Sequence, residues 1–218
     1  KKVYSLGKTE VNALRGVNLS IGKGEFFVLA GPSGSGKSTL LNIIGCLDYP
    51  TEGEVWLEDM LVSEYPEKEL NRIRLHHIGF IFQSFNLIPV LDVFENIELP
   101  LLIRHDISAK ERRHRVNEII EKVGLTSQIR QKPSELSGGQ QQRVAVARAL
   151  VTRPKVILAD EPTANLDTNT GNEIIELMHE ICIKEAATFI ISSHDPKIIK
   201  KAGRSVYLQD GQVKEAGA

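Results

Sequence analysis

The run Gly31-Pro-Ser-Gly-Ser-Gly-Lys-Ser-Thr39 restricts this chain more than any other feature, because of what flanks it. The apolar stretch Phe26–Ala30 precedes it and reads as a buried strand ending at a glycine. The stretch Lys37–Cys46 follows and reads as a helix. Glycines at these positions let backbone N–H groups turn inward with no Cβ in the way, and the helix start aims its positive dipole end at the same place. Gly31-x-x-x-x-Gly36-Lys37-Ser38 between strand and helix is the spacing of a phosphate cradle. Lys37 is placed to neutralise phosphate oxygens and the Ser38 hydroxyl to hold Mg²⁺, with Pro32, Ser33, Gly34, Ser35 and Thr39 completing the contact surface. A chance glycine turn before a helix leaves the Lys-Ser pair unexplained.

The rest of the chain alternates strands with helices. Val156–Ala159 reads as a second buried strand, closed by Asp160 and Glu161, and Thr188–Ser192 as a third. Asn172–Lys184 has helical spacing through Ile174, Ile175, Leu177, Met178 and Ile181. Continuous apolar strands between helices imply a parallel sheet covered on both faces, an α/β class. Residues 85–134 break the rhythm and show no strong strand. There Ser108-Ala-Lys-Glu111 reads as a capping box. Val116, Ile119, Ile120 and Val123 then lie on one helix face, and Gly124 ends that helix. A helical lobe inserted into the α/β core is the expectation. Asp210-Gly211 predicts a tight turn between two short strands.

Composition narrows the function classes. The chain has 218 residues with 41% hydrophobic content, enough for one domain with a lobe. A net charge of −1 offers no basic surface, so no nucleic-acid partner is expected. Neither Cys46 nor Cys182 has a Cys or His at ligand spacing, which argues against a zinc site, and two cysteines make no disulfide framework. A reduced, cytoplasmic setting follows as the expectation. No apolar run approaches the ~18 residues of a membrane helix, and no secretory signal is visible.

Other residues acquire meaning beside the glycine-rich loop. Asp160 at a strand end can reach a metal held by Ser38, and Glu161 can polarise a water; alone, Asp-Glu-Pro would read as an ordinary acidic turn. His194 follows the third strand and could bond a phosphate or the attacking water, although a lone histidine is more often structural. Gln83, after Ile78–Phe82, could ligate Mg²⁺ or simply end a strand. A second glycine run, Leu136-Ser-Gly-Gly-Gln140, opens another helix and again suits an anion; capping by Ser137 would account for the serine but not for the glycine pair.

Together these motifs resemble the ATP-binding subunit of ABC transporters over nearly the whole chain. Gly31–Thr39 is similar to the Walker A loop, Val156–Glu161 to the Walker B strand, Leu136–Gln140 to the family signature, Gln83 to the Q-loop, Asn165-Leu-Asp167 to the D-loop and His194 to the switch histidine. Tyr4 stands where the family stacks an aromatic on adenine, a place where a packing role is the alternative. Phe82–Pro89, Glu95–Pro100 and Ser193–Pro196 look like the subgroup serving lipoprotein release and macrolide-type export, with a cell-division ATPase that transmits force as the rival reading. Ala164 and Ser192-Ser193 depart from that subgroup's usual residues.

The resemblance implies a P-loop NTPase core with a mostly parallel sheet, an antiparallel β subdomain and an inserted helical lobe. One domain, 1–218, would divide into a RecA-like core of about 1–84 and 153–218 and a lobe of about 85–152. It implies ATP and Mg²⁺ as ligands. Glu161 would be the general base, with His194 and Gln83 assisting. Ser38, Gln83 and Asp160 would face the metal. A second copy would pair head to tail, so that Ser137, Gly138, Gly139 and Gln140, with Asp167, meet the nucleotide of the other chain. A permease-type membrane protein would dock near Phe85–Leu91, an apolar loop, holding the chain at the cytoplasmic face of the inner membrane. Chromosome-maintenance ATPases, which share the signature, need a coiled coil between the Walker motifs that is missing here. Ribosome-associated relatives need two such cassettes in one chain.

Overall fold

The structure is a computed structural model that describes residues 1–7 and 9–214. Strands β1 (Lys2–Leu6), β2 (Thr9–Leu14) and β3 (Phe26–Ala30) lead into helix α1 (Lys37–Ile44). The short strands β4 (Trp56–Leu57) and β5 (Met60–Leu61), helix α2 (Glu67–His77) and strand β6 (Ile78–Ile81) follow. Helices α3 (Val93–Leu102), α4 (Ala109–Lys122) and α5 (Gly138–Leu150) come next, with no strand among them. The chain then runs through β7 (Val156–Asp160), α6 (Thr168–Glu185), β8 (Thr188–Ser193), α7 (Pro196–Lys201), β9 (Arg204–Gln209) and β10 (Gln212–Lys214).

Six strands form the central sheet in the order β10-β9-β3-β8-β7-β6. All neighbours are parallel except β9–β10, which turn at Asp210-Gly211 as the sequence predicts. Side chains alternate across a strand. Phe26, Val28, Ile157, Ala159, Phe189 and Ile191 enter one core, which α3, α4, α5 and α6 cover. Phe27, Leu29, Leu158 and Ile190 enter the other, beneath α1 and α2. The continuous apolar runs are therefore strands buried on both faces. Antiparallel pairs β1–β2 and β4–β5 stand outside this sheet.

Helix ends differ from the sequence reading for local reasons. Helix α1 stops at Ile44, short of Cys46, because Gly45 closes it with its N–H on the Leu41 and Ile43 carbonyls. Helix α6 starts at Thr168, before Asn172, because the Asp167 side chain caps it from the N–H groups of Asn169 and Thr170. The capping box expected at Ser108 forms only in half. Ser108 Oγ accepts from the Glu111 N–H at 3.2 Å, but the Glu111 carboxylate accepts from Arg115 Nε instead. The reciprocal boxes are Asp92/Glu95 on α3 and Ser137/Gln140 on α5.

The three-helix region is joined closely to the sheet. A Cβ on Gly79 of β6 would lie 2.4 Å from the Ala149 carbonyl oxygen, so α5 approaches this strand more nearly than a side chain would permit. Among the described residues no helix is long and apolar enough to cross a membrane.

Candidate active site

Register brings the chemistry to one edge of the sheet. Ala30 pairs with Ser193 and Asp160 with Ser192, so the carboxyl ends of β3, β8 and β7 lie side by side. The loop after β3 needs its glycines. Gly31 has φ 148° and a Cβ there would lie 2.1 Å from the Leu208 carbonyl oxygen. Gly36 has φ 102°, with the Ala13 carbonyl oxygen 2.6 Å from where its Cβ would stand. Lys37 is 6% exposed, and its Nζ donates to the carbonyls of Gly31 at 2.8 Å and Pro32 at 3.0 Å. Ser35 Oγ is buried in the same loop without a partner.

Glu161 lies where these pieces meet. Its Oε1 is 3.5 Å from Lys37 Nζ, and both carboxylate oxygens are 3.1 Å from His194 Nδ1. Its backbone is left-handed, with φ 45°, a conformation that costs a non-glycine residue about 1–3 kcal/mol. Ser192 offsets part of that cost: the Glu161 N–H donates to Ser192 Oγ at 2.9 Å and to its carbonyl at 3.2 Å. The same hydroxyl donates to Asp160 Oδ1 at 2.5 Å. One buried serine thus orients both acids. The sequence marked Ser192 only as a departure from a family pattern, and its alternation into the sheet edge was the signal available.

Gln83 is exposed just after β6, and Asn165 Nδ2 donates to its carbonyl at 2.9 Å. The turn beyond it is unusual. Phe85 and Asn86 are both left-handed, at φ 60° and 50°, and Arg148 of α5 grips both carbonyls, at 2.8 and 2.6 Å. Asn96 of α3, fully buried, accepts from the Ile88 N–H and donates to the carbonyls of Ile88, Leu91 and Asp92. Arg148 and Asn96 escaped the sequence reading, since nothing in their spacing announces a partner so far along the chain. The apolar loop is also less uniform than its composition suggests. Phe85, Leu87 and Leu91 are half-buried, with Leu87 packed on the core, while Ile88 at 36% and Val90 at 73% face solvent.

The second glycine run has a packing role within its own chain. Ser137 Oγ accepts from the Gln140 N–H at 3.3 Å and Gln140 Oε1 accepts from the Ser137 N–H at 2.9 Å, a complete capping box. A Cβ on Gly139 would lie 2.3 Å from Thr170 Cγ2, and one on Gly138 3.3 Å from Leu166 Cδ2. Helix packing therefore accounts for the second glycine, which capping alone did not. Gly138 remains the more accessible of the pair. Among the described residues no hydrogen bond links Ser137–Gln140 to the Gly31–Thr39 loop. Asp167 Oδ1 accepts from the Asn169 and Thr170 N–H groups, and contact with Thr170 holds its carboxyl below the usual range. Tyr4 is half-buried on β1, its hydroxyl donating to Asp48 Oδ2 at 2.7 Å, with Lys2 Nζ 4.8 Å from its ring centre. Burial, then the Asp48 carboxylate, pushes its phenol above the ordinary value.

The chain is similar to known proteins over most of its length. The family described as ABC transporter matches residues 14–164. The ABC transporter ATP-binding protein MJ0796 of Methanocaldococcus jannaschii is 47% identical over 97% of this chain and 92% of its own length. A dimeric structure of MJ0796 in a post-hydrolysis state, bound to ADP and Pi, superposes with a TM-score of 0.89 over 98% of this chain and 94% of that one. The macrolide export ATP-binding/permease protein MacB of Bdellovibrio bacteriovorus is 43% identical over 98% of this chain but only 32% of its own length.

Glycine-to-alanine in a helix ordinarily stabilises by ~1 kcal/mol. At Gly139 the clash with Thr170 reverses the sign: Gly139→Ala is expected to destabilise by about 1–3 kcal/mol, the range of overpacking. Thermal unfolding should show a lower Tm. Adding Thr170→Ser removes Cγ2, the clashing atom, and leaves Thr170 Cβ next nearest at 3.8 Å, so the double variant should recover most of the loss. A Gly139→Ala protein as stable as the parent would contradict the packing account.

Proposed function

The chain belongs to the ABC transporter family as an ATP-binding, ATP-hydrolysing domain, and from that premise we propose that it drives a membrane-bound export or lipoprotein-release complex as a head-to-tail pair. The observation that carries the catalytic part is the convergence on Glu161, whose carboxylate lies 3.5 Å from Lys37 and 3.1 Å from His194. Glu161 is the general base. His194 orients it and offers its other ring nitrogen outward to the terminal phosphate or the attacking water. Lys37 and the inward N–H groups of the Gly31–Thr39 loop stabilise the charge that develops in phosphoryl transfer. Left-handed glycines and the unpartnered Ser35 hydroxyl suit this loop to phosphate oxygens. Tyr4 receives the adenine.

Mg²⁺ fits the oxygen donors of Ser38, Asp160 and Gln83. Mg²⁺ takes oxygen ligands, commonly one or two carboxylates completed by water and phosphate, and a single Asp160 carboxylate beside a hydroxyl and an amide oxygen suits that preference. When bound, it would neutralise charge between the outer phosphates. Asp160 is held for that contact by the Ser192 hydroxyl.

Three features support the pairing: the dimeric state of MJ0796, the capped helix start at Ser137–Gln140, and the absence, among the described residues, of hydrogen bonds from it to the chain's own phosphate loop. In a second copy, Ser137, Gly138 and Gly139 would close over ATP, with Asp167 lining the junction. Residues 85–152 form the lobe that carries this surface. The name of MacB, an ATP-binding/permease protein, supports a permease-type partner that would hold this chain at the cytoplasmic face of the inner membrane. Docking falls to Ile88 and Val90, the apolar side chains that the Asn96-stapled loop turns outward.

Glu161→Gln is expected to keep ATP binding and lose turnover by roughly 10²–10⁴-fold. Light scattering with Mg-ATP should then show a lasting dimer; near-normal turnover would remove Glu161 from the role of base. Replacing Ile88 and Val90 with serine should leave basal ATPase activity within about twofold, since neither side chain belongs to the core, while membrane co-sedimentation from cells falls. Membrane association equal to the parent's would place docking elsewhere.

A further inference from the structure

Gln142 lies on α5, little more than one turn beyond the Ser137 cap, and is 0% exposed. Its Nε2 donates to the Pro162 carbonyl at 2.7 Å. A carbonyl only accepts, so this bond fixes which end of the amide points there. The other end, Oε1, is buried with no partner. An orphaned buried acceptor weakens a fold, but an apolar side chain here would only exchange it for another, because the buried Pro162 carbonyl accepts from Gln142 and from no other group among the described residues. What the glutamine supplies is a bond between this helix and one particular carbonyl.

Pro162 directly follows Glu161. Three groups fasten the left-handed turn: Ser192, which accepts from the Glu161 N–H, the Ala164 N–H, which donates to the Glu161 carbonyl at 3.2 Å, and Gln142 Nε2, which donates to the Pro162 carbonyl. The first two come from the sheet and from the turn itself. Only the third comes from the helix that begins with Ser-Gly-Gly. The direction of the Glu161 carboxylate toward His194 and Lys37 depends on this turn, because no side-chain rotation restores a misplaced backbone.

We propose that Gln142 is a positioning residue that ties the signature helix α5 to the catalytic carboxylate of its own chain. The proposal rests on Glu161 as general base. Engagement of the helix start at Ser137 is then felt, through one buried amide, at the Glu161-Pro162 turn. Each chain's own hydrolytic site is thereby linked to the helix it presents to its neighbour. Gln142 is fully buried, and its effect passes through the direction of Glu161.

The test compares Gln142→Met, Glu161→Gln and the double variant in steady-state ATPase assays, nucleotide-binding titrations and thermal unfolding. Gln142→Met should remain folded with a modestly lower Tm, because it removes one orphaned acceptor and leaves another at the Pro162 carbonyl. It should bind ATP within about twofold of the parent, keep KM within about twofold and lose about tenfold in kcat, the signature of an interaction that matters after binding. In the Glu161→Gln background the same change should lower the residual rate no further, since residues acting as one unit are not additive. A folded Gln142→Met protein with kcat within twofold of the parent overturns the proposal, as does an equal fall in both backgrounds or a loss of ATP binding as large as the loss in kcat. A near-normal rate in Glu161→Gln alone would instead overturn the assignment of the base.

Discussion

The parallel register of β3, β8 and β7 is the constraint on which everything else depends. Because Ala30 faces Ser193 and Asp160 faces Ser192, the phosphate loop, the acidic pair and His194 leave the sheet together at one edge. A shift of one residue would turn alternate side chains to the opposite core, and both cores are filled. The packing of Phe27, Leu29, Ile157, Leu158, Phe189 and Ile190 thus holds the catalytic geometry without touching it.

Three of the eight left-handed non-glycine residues described lie at the site. Glu161 is left-handed at the end of β7, and Phe85 and Asn86 are left-handed beyond Gln83. Each would relax if the surroundings allowed it. Ser192 and Gln142 hold the first turn, Arg148 holds the second, and Asn165 joins the two loops through the Gln83 carbonyl. Helix α5 supplies a residue to each turn. It begins with the Ser137–Gln140 run, braces the Glu161 turn through Gln142 and braces the Phe85–Asn86 turn through Arg148. One helix therefore joins the Glu161 turn to the loop proposed to dock.

Much of this was legible in the sequence because local rules govern it. The strand–loop–helix around Gly31–Lys37, the acids closing Val156–Asp160 and the turn at Asp210-Gly211 each follow from spacing that a single segment contains. What stayed hidden involves partners distant in the chain. Nothing near Gln142 announces Pro162, nothing near Asn96 distinguishes it from a solvent-facing polar residue of α3, and Gly139 is explained only once Thr170 is seen against it. The apolar loop Phe85–Leu91 shows the same limit: its composition does not tell that Leu87 packs on the core while Val90 faces solvent.

The central claim is that the two glycine-rich runs meet across two chains. The most direct measurement mixes a Lys37→Ala protein with a Ser137→Arg protein, each nearly inactive alone. In a head-to-tail heterodimer one site carries both lesions and the other joins an intact loop to an intact signature. Random pairing makes about half of the dimers mixed, each with one good site, so recovered ATPase activity should reach at most about a quarter of the parent's. ATP-driven association of the mixture should return with it. A mixture as inactive and as monomeric as its components would contradict the account.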